Sequence, residues 1–378
     1  MLQDRRKRNL EIVDSVSKYI DDIQKLEKNW CDGDNDFIVF RGEAEEYDVP
    51  CIPTIYRDLA LKQVNNYEIN MFLAMRQNDI SNSADYLHNA IDAQHDGFPS
   101  RLLDVSYNCL IALYFATTPY YNNKEDLLDD KDGFVYAFKF DEAYSPEANN
   151  TKDIYLSALK GKDNLLNASF FATNHKLIDH CRQNKRIIAQ QGAFILFAGE
   201  TPEPIPYYQM FGIRISGNAK ARIRHELRSL FGIYTGSVYP EVELMHDEIK
   251  AKCMRMNTAE NSIKNNIEAT LESWQKEYDY FLDCCDYFIE CDKGGKKKSD
   301  KDWGEFYRLV EKNIASHEIK LNNLLRRVKA YNKCLKEHDE QIVISDIQKK
   351  YQDMLDDFID ELPEQTTLDT ILTRKERG

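Results

Sequence analysis

The stretch Asp36-Phe37-Ile38-Val39-Phe40-Arg41-Gly42 predicts a buried β-strand that ends at a glycine. Its four apolar residues are β-branched or aromatic and lie between polar neighbours, which is typical of an interior strand. Further along, Phe134 to Phe140 predicts a second strand, and Asn108 to Thr117 predicts a short helix that begins near Ser106 or Asn108. Residues 36–245 are therefore predicted to form one domain of the α+β class.

Four other local patterns complete the prediction for this domain. Residues 66–93 are predicted to be helical and polar-faced, and residues 186–197 to form two strands separated by Gly192. Ile213 to Ile215 predicts a short strand. Residues 219–230 predict a basic helix, whose charged face is expected to be solvated, with contact to an anionic target as the alternative.

Both ends of the chain are predicted to be helical. Residues 9–28 have apolar positions at spacings of three and four, so residues 1–35 are interpreted as an N-terminal helix that packs on the domain. After residue 246 the strand signals end, and three apolar series at nearly heptad spacing follow. Residues 246–378 are therefore predicted to form an antiparallel helical hairpin or bundle, suited to self-association or to docking a partner protein.

Composition excludes several classes of protein. The net charge of the 378-residue chain is -14, which argues against general nucleic-acid coating, because such proteins neutralise phosphates with basic residues. The nine cysteines form no CxxC pair, so reduced thiols in a cytoplasmic protein are expected and no metal site is predicted. The N-terminus lacks the apolar region of a secretory signal, and no apolar run is long enough for a membrane span.

Four separated motifs resemble those of the FRG family, which is named after its first motif. In chain order they are Phe40-Arg41-Gly42, Pro53-Thr54-Ile55-Tyr56-Arg57, the run from Gln94 to Asp104 with Ala112-Leu113-Tyr114-Phe115-Ala116, and Arg186 with Gln190-Gln191-Gly192-Ala193-Phe194. Gly232-Ile233 and Tyr239-Pro240 are similar to the closing segment of the family. The resemblance covers about 200 residues. Val105 departs from the pattern, because the family has a tryptophan there.

The order of these motifs is similar to that of ADP-ribosyltransferases, which implies an ADP-ribosyltransferase-like mixed sheet and NAD as the cofactor. The resemblance also implies a toxin or antiviral defence effector that acts on an unidentified macromolecular target. An arginine at a strand end can hold a pyrophosphate with two parallel hydrogen bonds, and Gly42 would let a dinucleotide approach the backbone. The residues then expected to bind the cofactor are Arg41, Gly42, Tyr56, Arg57, Gln94, Arg101, Arg186 and Gln191.

The catalytic acid is the weak point of the enzyme hypothesis. An ADP-ribosyltransferase needs an acidic residue on a late strand, but residues 183–186 read Gln-Asn-Lys-Arg. Asp104 or Glu43 would have to supply the charge, with His95 and Ser106 positioning the ribose or the nicotinamide.

Two alternatives remain open from the sequence. The cleft could sense a phosphorylated ligand without catalysis and signal to a partner through the helical region. The arginines could also be purely structural, each paired with a carboxylate inside the domain.

Overall fold

The chain forms two compact units, Met1–Met256 and Asn257–Gly378. The structure is a computed structural model, and it describes residues 12–30, 36–57, 64–80, 83, 85–95, 97–120, 123–160, 171, 173–179, 185–256, 262–295, 299–335 and 341–362. The predicted domain boundary at residue 246 falls inside the last helix of the first unit.

A seven-stranded mixed sheet forms the centre of the first unit. Its strands are β1 (Phe37–Glu43), β2 (Leu102–Ser106), β3 (Gly133–Phe140), β4 (Ala143–Tyr144), β5 (Lys176–Ile178), β6 (Gly192–Leu196) and β7 (Met210–Ile215). The order across the sheet is β4-β5-β6-β2-β1-β3-β7, and only the β4–β5 pair is parallel. The α+β class is confirmed.

The two strands β1 and β3, which the apolar patterns predicted, are neighbours in the sheet, with β7 at the edge beside β3. β1 pairs with β3 from Phe37 opposite Phe140 to Glu43 opposite Phe134, so the ladder continues past the glycine at which the strand was predicted to end. β1 meets β2 only at Phe40 opposite Ser106. Because β1 and β2 diverge beyond this single pair, the side chain of Arg41, which follows Phe40, faces an open space.

Nine helices surround the sheet within the described part of the first unit. They are α1 (Val16–Trp30), α2 (Val64–Gln77), α3 (Tyr86–His95), α4 (Cys109–Thr117), α5 (Asn149–Leu159), α6 (Lys185–Gln190), α7 (Lys220–Phe231), α8 (Thr235–Val238) and α9 (Val242–Arg255). The helix predicted from residue 108 is α4. The side chain of Asn108 caps it by accepting hydrogen bonds from the amides of Leu110 and Ile111.

Glycines allow α4 to approach the sheet very closely. A Cβ on Gly42 would lie 1.9 Å from the carbonyl oxygen of Ala112, and one on Gly133 would lie 2.0 Å from that of Ala116. No side chain can occupy either position without moving the helix. The glycine of the first motif is therefore a packing residue.

One local prediction holds only in part, and another was wrong for half of its residues. Residues 66–93 form two helices, α2 and α3, because the chain leaves the helical conformation after Gln77. The first half of residues 186–197 is helix α6, although the run Ile187-Ile188 suggested a strand. The fully buried run that starts at Gly192 is strand β6, and Gln191 joins the two elements.

The second unit contains three long helices, α10 (Ile263–Lys293), α11 (Asp300–Cys334) and α12 (Ile344–Glu361). Successive helices run in opposite directions: Phe288 of α10 meets Trp303 near the start of α11, and Tyr278 meets His317 further along it. Their buried apolar residues form one core, which includes Trp274, Tyr278 and Phe358. Within the described residues, none of the helices is both long and apolar enough to cross a membrane.

Candidate functional site

A cleft of about 430 Å³ lies where β1 and β2 separate. This volume is within the range of small-molecule sites, roughly 300–1,000 Å³. Its polar lining residues are Arg41, Thr54, Gln94, Asp104, Ser106, Arg186 and Gln190. Its other lining residues are Phe40, Gly42, Gly97, Phe98, Pro99, Val105, Phe115, Tyr120 and Tyr239.

Arg41 lies on β1 and reaches across to β2. Its Nη1 donates a hydrogen bond to the backbone oxygen of Asp104 at 2.8 Å, and its Nε donates to Oε1 of Glu43 at 3.3 Å. Burial alone would lower the pKa of Arg41, but the nearby Glu43 and Asp104 carboxylates raise it above its ordinary value. Arg41 is therefore a fixed positive charge in the wall of the cleft.

Glu43 lies behind the cleft and holds two arginines. Its Oε1 accepts hydrogen bonds from Arg41, from Nη2 of Arg57 at 3.0 Å, and from the amide of Cys51 at 3.2 Å. The residue is 4% exposed, and it is not among the residues that line the cleft. Arg57 also donates to the backbone oxygen of Ile52. Glu43 and Arg57 thus support Arg41 from behind.

Asp104 carries a carboxylate that faces the cleft. It lies on β2 opposite Phe194 of β6, and its Oδ2 is 3.4 Å from Nε2 of Gln94. Asp104 is exposed to the cleft, but the protein atoms around its carboxyl group desolvate it and raise its pKa, and the positive charges of Arg41 and Arg186 oppose this effect. Asp104 is the only carboxylate among the described residues that line this cleft.

Arg186 supplies the second positive charge. It lies in the first turn of α6 and donates through Nε to Oε1 of Glu241 at 2.8 Å and through Nη2 to the same oxygen. Its guanidinium group also lies 5.1 Å from the ring centre of Tyr239. Tyr239 and Glu241 therefore hold Arg186 from the segment that follows α8.

The family comparison agrees with the motifs at this site. The FRG domain model matches residues 36–125, which run from the start of β1 past the end of α4. Residues 36–125 therefore match an FRG domain. Searches among curated proteins and among solved structures give no match. Arg41, Gln94 and Asp104 lie inside the matched FRG residues, whereas Arg186 and Tyr239 lie beyond them.

The structure brings two of the four predicted arginines of the FRG motifs to the cleft. Arg101 is elsewhere: it is fully buried, its Nε is 2.7 Å from Oε2 of Glu68, and its Nη1 donates to the backbone oxygen of Ala198 at 3.1 Å. Tyr155 donates to the other oxygen of Glu68. The expected convergence of four arginines is therefore corrected to Arg41 and Arg186, with Arg57 behind them and Arg101 in the core.

Ser106 lines the cleft, but its hydroxyl group forms hydrogen bonds with the backbone of the protein. Its hydroxyl donates to the backbone oxygen of Gln190 at 2.6 Å and accepts a hydrogen bond from the amide of Asn108 at 2.9 Å. The hydroxyl thereby joins the end of α6 to the start of α4. Gly42 also borders the cleft, but its missing side chain makes room for α4, as described above.

Tyr56 and Gln191 do not line the cleft. The hydroxyl of Tyr56 donates to the backbone oxygen of Gly199 at 2.5 Å, and burial raises its pKa to about 12. Gln191 is exposed and has a φ of 47°, and the neighbouring Gln190 lines the cleft instead. His95 is the last residue of α3, and its side chain lies outside the described part of the structure.

The sequence prediction also missed several lining residues of the FRG cleft. Phe98 and Thr54 lie inside quoted motifs but were not selected, and Tyr120 lies just after the end of α4. Tyr239 belongs to the closing motif, which was the signal that could have identified it.

The arginines of basic helix α7 pair with carboxylates, namely Arg222 with Glu226, Arg224 with Asp129 and Arg228 with Glu248. Arg222 and Arg228 are solvated as expected, whereas Arg224 is mostly buried and Lys220 of the same helix is fully buried, so the expectation of a solvated basic face holds only in part.

Proposed function

We propose that the cleft of the FRG domain binds a nucleotide that carries a pyrophosphate, as NAD does. The observation that carries the proposal is that Arg41 and Arg186 both line one cleft although 145 positions separate them in sequence. Arginine forks onto phosphate oxygens with charge-assisted hydrogen bonds, which are stronger than those between neutral groups. Their partners Glu43 and Glu241 lie outside the cleft lining, so both guanidinium groups are pre-positioned.

The remaining lining suits the other parts of a nucleotide. Phe98, Tyr120 and Tyr239 supply aromatic surface, on which a base or a nicotinamide ring can pack. Gln94 points its amide into the same space, where it donates to the backbone oxygen of Leu102 at 2.6 Å and lies near Asp104. A small number of polar groups on a mostly apolar wall is the usual composition of a site that orients a ligand.

A direct binding measurement tests this function. The full chain is titrated with ADP-ribose and with NAD in a calorimeter, alongside Arg41→Lys and the surface control Arg222→Lys. Loss of the forked contact in Arg41→Lys should weaken binding by about 1.5–3 kcal/mol, or roughly ten- to hundred-fold. Arg222→Lys should bind like the wild type, because Arg222 pairs with Glu226 on an exposed helix. Equal affinity of Arg41→Lys and the wild type would contradict the proposal.

Catalysis is a separate part of the proposal. An ADP-ribosyltransferase-like domain that acts on a macromolecular target, as a toxin or an antiviral effector would, needs an acid beside the ribose. Asp104 is the candidate, because it lines the cleft and interacts electrostatically with both arginines. Incubation with labelled NAD and cell lysate tests it. Transfer of label that is lost in both Arg41→Ala and Asp104→Asn would support a transferase.

A sensor is the second candidate. Glu43 lies behind the cleft and no acid precedes β6 at residues 183–186, so the late-strand acid of a transferase has no counterpart in the sequence. In this case the nucleotide binds without turnover, and the helical second unit would dock a partner protein or a second copy. Nucleotide binding without label transfer to any protein, together with intact NAD after long incubation, would favour the sensor.

A further inference from the structure

The charged groups in and directly behind the cleft are balanced before any ligand enters. Three guanidinium groups are matched by three carboxylates among the described residues. The positive groups are those of Arg41, Arg57 and Arg186, and the negative groups are those of Glu43, Asp104 and Glu241. A pyrophosphate diester adds two negative charges to this balanced set. Loss of one negative charge from the site would therefore favour binding of the ligand.

Asp104 is the group placed to lose this charge. Arg41 is bonded to its backbone oxygen, which leaves the carboxylate to face the space that a ligand would fill. Four side chains face this carboxylate from the surrounding elements: Arg41 from β1, Gln94 from α3, Arg186 from α6, and Tyr239 from the segment after α8. Glu43 and Glu241 are less suited, because each is held by the arginine that it supports.

A phosphate beside Asp104 would have two effects on the carboxyl group. Like charges at close range favour protonation of one of them, so an anionic ligand opposes the ionised form. Once protonated, the carboxylic acid gains an O–H donor, which can bond to a phosphate oxygen. The surrounding protein atoms already raise the pKa of this group in the free protein, although the side chain is open to the cleft, so the cost of protonating it is reduced.

We propose that the cleft takes up a pyrophosphate ester together with one proton, which is carried by Asp104. This inference rests on the proposed function, because it concerns how the same cleft accommodates the same class of ligand. It makes nucleotide affinity dependent on pH in a predictable direction. Affinity is greatest at low pH, where Asp104 is already protonated, and it decreases as the pH rises above the pKa of the free group.

The test is calorimetry of ADP-ribose binding to the full chain between about pH 6 and pH 8.5, in pairs of buffers that differ in ionisation enthalpy. The diphosphate of ADP-ribose is a diester and does not titrate in this interval. Proton uptake should be observed, and affinity should decrease with pH by up to about tenfold per unit at the steepest point.

Three variants locate the proton. Asp104→Asn should bind with no proton uptake and with nearly constant affinity. Asp141→Asn, at an exposed position after β3, should behave like the wild type. His95→Gln should also retain proton uptake, which would exclude His95 as the carrier.

The outcomes separate this inference from the proposed function. Wild-type binding without proton exchange, or proton uptake that persists in Asp104→Asn, would overturn the inference and leave nucleotide binding intact. The absence of binding at every pH would overturn the proposed function itself. The wild-type measurement does not depend on whether any variant folds.

Discussion

Arg41 is fixed to Asp104 through the backbone: its Nη1 lies 2.8 Å from the carbonyl oxygen of Asp104. This hydrogen bond connects β1 to β2 just beyond Phe40 and Ser106, where the two strands separate. The guanidinium position therefore depends on the path of β2 and not on the side chain of residue 104. For this reason, substitutions of Asp104 can change the charge of the cleft without releasing Arg41.

Neutralising the partner of Arg186 should tighten nucleotide binding. Glu241→Gln keeps a side-chain oxygen that can accept from Arg186, but it removes a negative charge that competes with the ligand. Because Glu241 is about one third exposed, the gain should be small, at most about 1 kcal/mol or roughly fivefold in Kd. Titration with ADP-ribose measures it. Weaker binding by Glu241→Gln would show that the carboxylate acts mainly to position Arg186.

Breaking the buried ion pair of the core should destabilise the first unit. Arg101→Met leaves the Glu68 carboxylate buried without its arginine, which costs about 3–5 kcal/mol. The double variant Glu68→Leu/Arg101→Met should regain part of this loss, because it removes both charges. Chemical unfolding compares these variants with Arg222→Ala, whose effect should remain within about 1 kcal/mol because its pair is exposed. A loss below about 1 kcal/mol in Arg101→Met would contradict the prediction.

Adding a single methyl group at Gly42 should destabilise the fold. The new Cβ would lie 1.9 Å from a backbone oxygen of α4, so the helix and the sheet would have to separate. Overpacking in a core costs about 1–3 kcal/mol, and more where the clash is with backbone. Gly304→Ala is the matched control, since that glycine lies in α11 with open space around it. There the same change should stabilise the helix by up to about 1 kcal/mol.

The helical bundle should lose stability as the pH falls. His317 is buried, its ring stacks on Trp274 with centroids 4.6 Å apart, and its Nδ1 contacts the Tyr278 hydroxyl at 3.1 Å. Burial lowers its pKa, although the nearby Glu277 opposes this effect. The unfolded chain therefore binds the proton more tightly, so the contribution of His317 to stability is present at neutral pH and is lost below about pH 6.5.

Hydrogen exchange in α10 and α11 measures this effect at neutral and at acidic pH. The protection factors, which correct for the slower intrinsic exchange of amides at low pH, should decrease at acidic pH in the wild type and less in His317→Gln, whose side chain does not titrate. His225→Gln, at an exposed position on α7, should leave the pH response of the bundle unchanged. An identical response of His317→Gln and the wild type would assign the effect to other groups.

Short-range sequence patterns were sufficient to predict several of the strands and helices that form the site. The apolar runs of β1 and β3, and the helix α4 capped by Asn108, were predictable because burial and capping leave short-range signals. Arg41 was predicted at the end of the first strand; it lies within β1, which continues to Glu43, and it lines the cleft. The helix α6 was not predictable in this way, since Ile187 and Ile188 are equally common in strands.

The sequence could not reveal which side chains distant along the chain pair with each other. Arg101 stands in a motif beside Asp104, which suggested a ligand contact, but its partner is Glu68 on α2, 33 positions earlier. Likewise, nothing near Arg186 indicates that Glu241 and Tyr239 will hold it. Such partners are set by how the helices pack around the sheet. Gln190 lines the cleft and Gln191 does not, and this difference depends on the positive φ of Gln191 at the junction of α6 and β6.

The strand order has a practical consequence for dissecting this protein. The segment matched by the family model contains β1 and β2, but their outer neighbours in the sheet, β3 and β6, come later in the chain. An expressed fragment that ends at residue 125 would therefore expose two unpaired strand edges and would be prone to aggregate. The structural unit is larger than the segment matched by the family model, and a recombinant fragment should extend to the end of α9.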